Sequence, residues 1–263
     1  MLPPFELRRP VSLAAAVDLV ATGGTPYCGG TELLAVMRLG LASPETLVDL
    51  KRVPELVGIT AAHGEIRLGA RVTHREAAAS DAVRTHAAIL AAGAGLLGNV
   101  RVRATGTLAG NVCFAEPRSD ILTALLALDA SVDLRSADGA RSVPIEDFVE
   151  GAFTTVRADE ELLEAIRVPA RSGPSAYVRF APAEHPTVTV AVVATGDGCR
   201  VVVGAVGERP ELFTFPGTGD VDPTAIAERV DITEDLNGHE DYKRHLTAVF
   251  VGRALEQMGV ADA

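Results

Sequence analysis

Two short turns centred on glycine contain the residues whose types and spacing could do chemistry. Glycine lets the backbone approach a ligand closely, and free N–H groups at the start of a helix favour an anionic phosphate. Two separated turns of this kind predict a dinucleotide bound between two parts of the chain, although either turn alone is also typical of an ordinary connection. The turns are Cys28-Gly29-Gly30-Thr31, continued by Glu32 and Leu33, and Thr107-Leu108-Ala109-Gly110-Asn111.

A third candidate follows the second turn, where Ser119 and Asp120 stand at the predicted start of a helix. The Asp120 carboxylate could accept hydrogen bonds from a ribose, or it could serve the helix alone through the helix dipole. A serine at this position is a preferred helix cap. The sequence leaves both readings of Asp120 open.

The rest of the chain shows no other established chemical motif. It contains neither a GxGxxG fingerprint nor a phosphate-binding loop of the GxxxxGK[ST] type, and its six histidines lack metal-ligand spacing. Cys28, Cys113 and Cys199 are too sparse for a disulfide framework or an iron–sulfur cluster, so we expect three reduced thiols. We therefore assign no catalytic and no metal-binding residue, and expect a bound cofactor to carry the chemistry.

The composition excludes several classes of protein. A net charge of −11 and a pI near 5.0 argue against a nucleic-acid-binding protein, which needs a basic face. With 263 residues, 48% of them hydrophobic, the chain is long enough for more than one core. The N-terminus has no signal-peptide pattern, and no apolar run reaches the roughly 18–20 residues that span a bilayer. We expect a cytoplasmic protein without a membrane span.

Alternating strands and helices are predicted to position the first turn. Ser12 is predicted to cap a helix over residues 13–22, and Thr31 a second helix over 32–41 whose apolar residues recur at helical spacing. A strand over 47–50 completes a β–α–β unit within the first 55 residues.

A second set of elements is predicted to position the other turn. Strands over 56–60 and 65–68 pair as a hairpin, and Thr73 and Asp81 each cap an alanine-rich helix, the second of which reaches Leu97. Residues 98–118 show no periodicity and are predicted to be irregular, and Ser119 caps a helix over 120–128. Further strands are predicted over 131–135 and 161–168.

The last third of the chain has a different pattern. A linker is predicted over 171–175, followed by strands over 176–180, 187–195 and 199–207, the last two joined by the turn Gly196-Asp197-Gly198. Two helices follow, one from about Pro223 and one over 239–258. This pattern predicts a small antiparallel sheet with helices.

At this level of detail the sequence resembles a known family, the FAD-binding medium subunit of molybdenum hydroxylases, which includes xanthine dehydrogenase, aldehyde oxidase and carbon monoxide dehydrogenase. The resemblance covers nearly the whole chain, and its motifs occur in the same order, which makes it far more specific than either glycine turn. The motifs are Gly29-Gly30-Thr31-Glu32-Leu33-Leu34, Gly69-Ala70-Arg71-Val72-Thr73, the run 100–111, Pro117-Arg118-Ser119-Asp120, and Asp241-Tyr242-Lys243-Arg244-His245-Leu246.

The resemblance implies the fold and the cofactor. The fold class would be α+β, with a two-lobed FAD-binding domain of the PCMH type followed by a small C-terminal antiparallel sheet with helices. Its parts would be lobe 1 over residues 1–55, lobe 2 over 56–170 and the C-terminal domain over 175–263. The FAD pyrophosphate would lie between the two turns and the adenosine ribose near Asp120. The implied cofactor-binding residues are Cys28, Gly29, Gly30, Thr31, Glu32, Leu33, Thr73, Thr107, Leu108, Ala109, Gly110, Asn111, Ser119 and Asp120.

The resemblance also implies partners and a role. A large subunit would hold molybdopterin and a small subunit would hold iron–sulfur clusters, in a dimer of heterotrimers. This chain would accept electrons from the clusters and pass them to an external acceptor. Two alternatives remain: a self-contained flavin oxidoreductase of the same fold, and a scaffold subunit that has lost flavin. The scaffold alternative rests on Ala109, where a glycine is usual, and on residues 181–186, which lack the usual arginine and aspartate.

Overall fold

The first sheet of the protein is small and parallel. The structure is a computed structural model that describes residues 2–259. Strands β1 (Glu6–Arg8), β2 (Thr25–Tyr27) and β3 (Thr46–Asp49) pair in the order β1-β3-β2, with α1 (Leu13–Ala21) and α2 (Leu33–Arg38) as the connections. The predicted β–α–β unit is thus confirmed, and β1 adds a third strand that the sequence pattern did not indicate.

Helix α2 is shorter than the predicted span of 32–41. It begins at Leu33 and has no side-chain cap, so the prediction that Thr31 caps it is wrong. The first backbone hydrogen bond of this turn runs from Leu34 N to Gly30 O at 3.2 Å. Because the glycine carbonyl accepts this bond, Thr31 lies inside the turn and its side chain is left for the cavity described below.

The second sheet is antiparallel and has five strands in the order β4-β5-β10-β6-β7. The predicted hairpin of the first two strands is confirmed, although its first strand begins three residues late because Leu56 belongs to a short 3₁₀ turn. A two-stranded ribbon lies beside this sheet. The strands are β4 (Ile59–Ala62), β5 (Glu65–Gly69), β6 (Ser131–Ser136), β7 (Gly139–Pro144), β8 (Val149–Gly151), β9 (Thr154–Thr155) and β10 (Leu162–Pro169).

Seven helices accompany the second sheet, and two predictions about them are wrong. The predicted helix over 81–97 is two helices, capped by Ser80 rather than Asp81 and interrupted at Ala87, whose φ of −148° is not helical. Residues 98–118 are not irregular but hold two short helices, capped by Asn99 and Thr107. The helices are α3 (His74–Ala79), α4 (Asp81–His86), α5 (Ala88–Leu96), α6 (Val100–Thr105), α7 (Leu108–Phe114), α8 (Asp120–Ala127) and α9 (Ile145–Phe148).

The third sheet is an antiparallel meander that contains the three predicted strands and a fourth strand, over residues 211–215, that the sequence pattern did not indicate. It consists of β11 (Ser175–Phe180), β12 (Val188–Thr195), β13 (Gly198–Gly204) and β14 (Glu211–Phe215). Helices α10 (Pro223–Arg229) and α11 (Glu240–Gln257) follow it, within one residue of the predicted end helix.

Helix α8 lies between the second and third sheets and is buried at all eight of its positions. It packs against β12 and β13 on one side of the meander, while α11 packs against β11 and β12. Side chains of β12 therefore alternate between two cores: Ala191 and Val193 join the core around α8, and Val190 and Val192 join the core around α11. This is the period of two that a strand requires.

The structure confirms the predicted mixture of helices and sheets. Because α8 joins the C-terminal sheet to the rest, the boundaries 1–55, 56–170 and 175–263 stay a prediction. Among residues 2–259, no helix is both long and apolar enough to cross a membrane.

Candidate functional site

Both glycine turns line one cavity of about 220 Å³. The first turn reaches it from the end of β2 and the second from the start of α7. Ten of the fourteen predicted cofactor-binding residues line this cavity: Cys28, Gly29, Gly30, Thr31, Glu32, Leu33, Thr107, Ala109, Gly110 and Asn111. The structure thus brings together two turns that are separated by more than seventy residues in the sequence.

At Gly29 the first turn packs closely on the backbone of residues 105 and 106, directly before the second turn. A Cβ atom at Gly29 would lie 2.2 Å from the Thr105 carbonyl oxygen and 2.8 Å from Gly106 Cα, which leaves no room for a side chain. Gly30 has a φ of +70°, and its missing Cβ leaves space for the Tyr27 ring, whose Cε2 would lie 2.4 Å from it. Glycine is therefore needed at both positions before any ligand is considered.

Hydrogen bonds hold the second turn in place. The Thr107 hydroxyl accepts a hydrogen bond from Gly110 N at 3.1 Å and caps α7. Leu108 N donates to Val72 O at 3.0 Å, and Thr73 pairs with Thr107 in an isolated antiparallel bridge. Thr73 and Leu108 are thus neighbours of the second turn that support it without lining the cavity.

Ala109 lies inside α7, where its backbone is helical, and its side chain is buried. An alanine in this conformation carries no strain, because the cost of a Cβ arises only at positive φ. The alanine is therefore compatible with the turn, and it no longer favours the scaffold alternative.

Ser119 and Asp120 lie behind the cavity rather than in its wall. The Ser119 hydroxyl donates to Asn111 Oδ1 and caps α8. The Asp120 carboxylate is buried, and it accepts hydrogen bonds from the Tyr177 hydroxyl at 2.6 Å and from Arg179 Nη1 at 2.8 Å. Both carboxylate oxygens thus have partners within the chain, and the suggested role of Asp120 towards a ribose stays a prediction.

Burial perturbs the pKa of Asp120. Loss of solvent raises the pKa of its carboxyl above the usual range, against the hydrogen bond of Tyr177 and the charge of Arg179, which lower it. Burial together with the neighbouring carboxylate also raises the pKa of Tyr177 well above its ordinary value. The cluster therefore keeps the tyrosine proton, which it donates to Asp120.

Burial also shifts the pKa values of titratable groups in the wall of the cavity. Burial raises the pKa of the Cys28 thiol, and it raises that of Cys113 to about 11, so both sulfurs stay protonated at neutral pH. Burial, followed by the negative charge of Glu116, raises the pKa of Glu32. Neither thiol has the lowered pKa of a reactive cysteine.

Sequence reasoning missed the apolar part of the cavity. These residues come from β2, α6, α7 and β10 and from the segments that follow β3 and α5, and no local pattern marks them, because core residues have the same composition. His74 and Arg157 are the polar exceptions, and the only local sign of His74 is its place directly after the capping residue Thr73. The missed residues include Tyr27, Leu50, His74, Leu97, Val102, Phe114, Arg157, Leu162 and Leu163.

The residues of the cavity fit a flavin dinucleotide. The two glycine turns bring backbone groups, Thr31 and Thr107 to a cavity whose other lining is largely apolar. Phosphates bind to backbone N–H and hydroxyl groups, and an aromatic ring system binds to an apolar surface. Gly29 and Gly30 both line the cavity, and their lack of side chains lets the first turn pack closely on residues 105 and 106 and on the Tyr27 ring.

Comparison with known proteins gives the same family over nearly the whole chain. A family model described as "FAD binding domain in molybdopterin dehydrogenase" matches residues 3–171. The chain is 29% identical to the carbon monoxide dehydrogenase medium chain of Afipia carboxidovorans, over 96% of both proteins. It is 30% identical to that of Hydrogenophaga pseudoflava over 97% of both, and 27% identical to the nicotine 6-hydroxylase medium subunit of Paenarthrobacter nicotinovorans over 98% of both.

Solved structures agree with the sequence relatives. The chain superposes with a TM-score of 0.89 and 27% identity on a carbon monoxide dehydrogenase chain from Hydrogenophaga pseudoflava, covering 100% of both chains. A chain of quinoline 2-oxidoreductase from Pseudomonas putida 86 gives a TM-score of 0.90 at 24% identity, again over 100% of both, and so shares the fold.

Proposed function

The chain belongs to the family of FAD-binding domains in molybdopterin dehydrogenases, and from this premise we propose that it is the FAD-carrying, electron-transfer subunit of a heterotrimeric molybdenum hydroxylase. At the coarser level, it is an FAD-binding medium subunit of the molybdenum hydroxylase type and part of an oxidoreductase. When bound, FAD supplies a group that accepts electrons and releases them to another acceptor.

The single observation that carries the proposal is the meeting of the two turns in one cavity. Gly29 packs on the backbone of residues 105 and 106, so the first turn and the start of α7 form one continuous surface. Backbone and hydroxyl groups of both turns bind the pyrophosphate from opposite sides in this proposal. The residues assigned to it are Gly29, Gly30, Thr31, Thr107, Gly110 and Asn111.

The remaining predicted residues have supporting roles in the proposal. Cys28, Glu32, Leu33 and Ala109 line the cavity and shape it around the cofactor. Thr73 and Leu108 hold the second turn through their backbone contacts with Thr107 and Val72. In the proposal they exclude water from the cofactor and fix the distance between the turns.

The proposed partners are a large molybdopterin subunit and a small iron–sulfur subunit. Supporting this, two relatives are named as medium chains of carbon monoxide dehydrogenase and one as the medium subunit of nicotine 6-hydroxylase. In the proposal, the small subunit delivers electrons, this chain passes them to an external acceptor, and two heterotrimers assemble as a dimer in the cytoplasm. A native complex purified through a tag on this chain is expected to contain both partners and to show flavin absorbance. A complex without flavin would contradict the proposal.

A matched pair of glycine variants tests the assigned site. Gly30 and Gly40 have φ values of +70° and +76°, so an alanine costs about 1 kcal/mol of backbone strain at either position. A Cβ at Gly40 meets nothing within 4 Å, whereas at Gly30 it would lie 2.4 Å from the Tyr27 ring and 3.2 Å from Leu34 and would displace the first turn. We expect Gly30→Ala to lose most of its bound flavin, measured by absorbance after gel filtration, and Gly40→Ala to keep it. Equal flavin content in both variants would refute the assignment of this turn.

A further inference from the structure

The amide of Asn111 is held from behind by a hydroxyl that does not line the cavity. Ser119 Oγ and Asn111 Oδ1 lie 2.5 Å apart, and Ser119 is 4% exposed. Asn111 itself is half-buried and lines the cavity. The contact therefore joins the wall of the cavity to the first residue before α8.

The direction of this hydrogen bond follows from the atom of Asn111 that faces Ser119. That atom is the amide oxygen Oδ1, which has no proton, so the Ser119 hydroxyl donates to it. The same hydroxyl oxygen accepts the N–H of Leu122 at 3.2 Å, as the cap of α8. The two N–H groups of Asn111 Nδ2 are left for a ligand.

The position of Ser119 is fixed in turn by the C-terminal sheet. The next residue, Asp120, bonds the Tyr177 hydroxyl and Arg179 of β11 and is 3% exposed. At the other end of α8, Arg200 of β13 donates to the carbonyl oxygens of Leu126 and Ala127. Helix α8 is therefore held at both ends by the sheet, and Ser119 has no freedom to follow a rotation of the Asn111 amide.

We propose that Ser119 is a positioning residue for the cofactor, which fixes the Asn111 amide so that its Nδ2 donates to an anionic phosphate oxygen. Without Ser119 no hydrogen bond from α8 holds the amide in this orientation, and the flipped amide presents its oxygen to the phosphate, so the charge-assisted hydrogen bond is lost. The inference rests on the proposed function, because it assumes that the ligand of the cavity is FAD.

Titration of the full-length apo-protein with FAD, followed by flavin fluorescence, tests this proposal. We expect Ser119→Ala to raise the Kd for FAD about tenfold, the effect of losing one well-placed charge-assisted hydrogen bond. Ser119→Thr keeps the hydroxyl and is expected to bind FAD within about twofold of the wild type. A Ser119→Ala variant that binds FAD as tightly as the wild type would overturn the proposal.

Ser80→Ala is the matched control for the lost helix cap. Ser80 caps α4 by accepting from Val83 N, the same relation that Ser119 has to Leu122, but it does not line the cavity. Both variants lose a cap and are expected to melt at a lower temperature than the wild type. Only Ser119→Ala is expected to bind FAD more weakly. Equal FAD affinity in the two variants would reduce Ser119 to a structural cap and overturn the proposal.

A double-mutant cycle shows whether Ser119 acts through Asn111. Asn111→Ala alone is expected to weaken FAD binding, and adding Ser119→Ala is expected to leave the Kd unchanged, because the amide that Ser119 orients is gone. A Kd tenfold higher in the double variant than in Asn111→Ala would show that Ser119 acts through another group, and it would overturn the proposal. If the wild-type chain itself bound no FAD, the proposed function would fail first, a result distinct from any of these.

Discussion

His74 is the buried polar residue that lines the cavity without a partner for its Nδ1 atom. The side chain is 2% exposed, and its backbone N–H donates to Gly106 O at the second turn. Burial, followed by the positive charge of Arg103, lowers the pKa of His74 from 6.5 to about 4. The imidazole is therefore neutral at physiological pH, and it adds no positive charge to the cavity.

This lowered pKa predicts a pH-dependent stability. Between pH 6.5 and 4 the unfolded chain binds a proton at this histidine that the folded chain does not, so stability is full above pH 6.5 and falls as the pH drops towards 4. From pH 7 to pH 5 the free energy of unfolding is expected to fall by about 2 kcal/mol from this residue. Urea denaturation of wild type and His74→Gln at both pH values measures the difference.

The control for this prediction is His63→Gln, which replaces a histidine exposed in the β4–β5 turn. Only His74→Gln is expected to reduce the decrease in the free energy of unfolding between pH 7 and pH 5. If both variants kept the wild-type dependence, another group would be responsible for it.

At the scale of elements, α8 and the C-terminal sheet fit together through small residues. Gly204 of β13 faces Thr123 of α8, and a Cβ at Gly204 would lie 2.2 Å from Thr123 Oγ1 and 2.7 Å from Thr189 Oγ1. These two hydroxyls share a buried hydrogen bond of 2.9 Å. The close approach of helix and sheet therefore depends on the absence of one methyl group.

Two glycine-to-alanine variants test this packing. Gly204→Ala is expected to lower the free energy of unfolding by about 1–3 kcal/mol, because neither helix nor sheet can retreat inside a packed core. Gly252→Ala, in α11, meets nothing within 4 Å and is expected to raise stability by about 0.5–1 kcal/mol through helix propensity. Denaturant unfolding of both variants gives the comparison. A neutral Gly204→Ala would mean that the sheet is not seated on α8 as described.

At the scale of the whole molecule, α8 makes the C-terminal sheet part of the main core. Ala191, Val193 and Val202 of that sheet belong to the same hydrophobic cluster as α8 and the five-stranded sheet. The family match, however, ends at residue 171, before the C-terminal sheet begins. Packing and family boundaries thus divide the chain differently.

The shared core predicts that the chain unfolds as one unit despite the predicted domain boundary. We expect a single calorimetric transition whose measured enthalpy equals the van't Hoff enthalpy. A chain ended at residue 171 would expose the face of α8 that the sheet covers, and it is expected to bind a hydrophobic dye such as ANS. Two separate transitions in the full chain would contradict the shared core and support the boundary between 170 and 175.

Local chemistry in the sequence was enough to identify many elements and both turns. Helix caps such as Ser12, Thr73 and Ser119 are recognisable because a side-chain oxygen three residues before a backbone N–H satisfies it within one turn of chain. The ordered motifs identified the family, and the comparisons confirm it. The short helices α6 and α7 were missed because caps and tertiary contacts hold them, with too few residues for a periodic pattern.

What only the tertiary structure decided is which groups meet. The sequence alone left Asp120 open between a ribose and a helix cap, and the fold brings Tyr177 and Arg179, more than fifty residues away, onto its carboxylate. It likewise shows that Gly29 is required by contact with Thr105, and that apolar residues of β10 complete the cavity. Contacts between distant residues depend on how sheets and helices pack, and no local spacing encodes that packing. The sequence therefore determined the family and the two turns, and the packing around α8 decided how they are held.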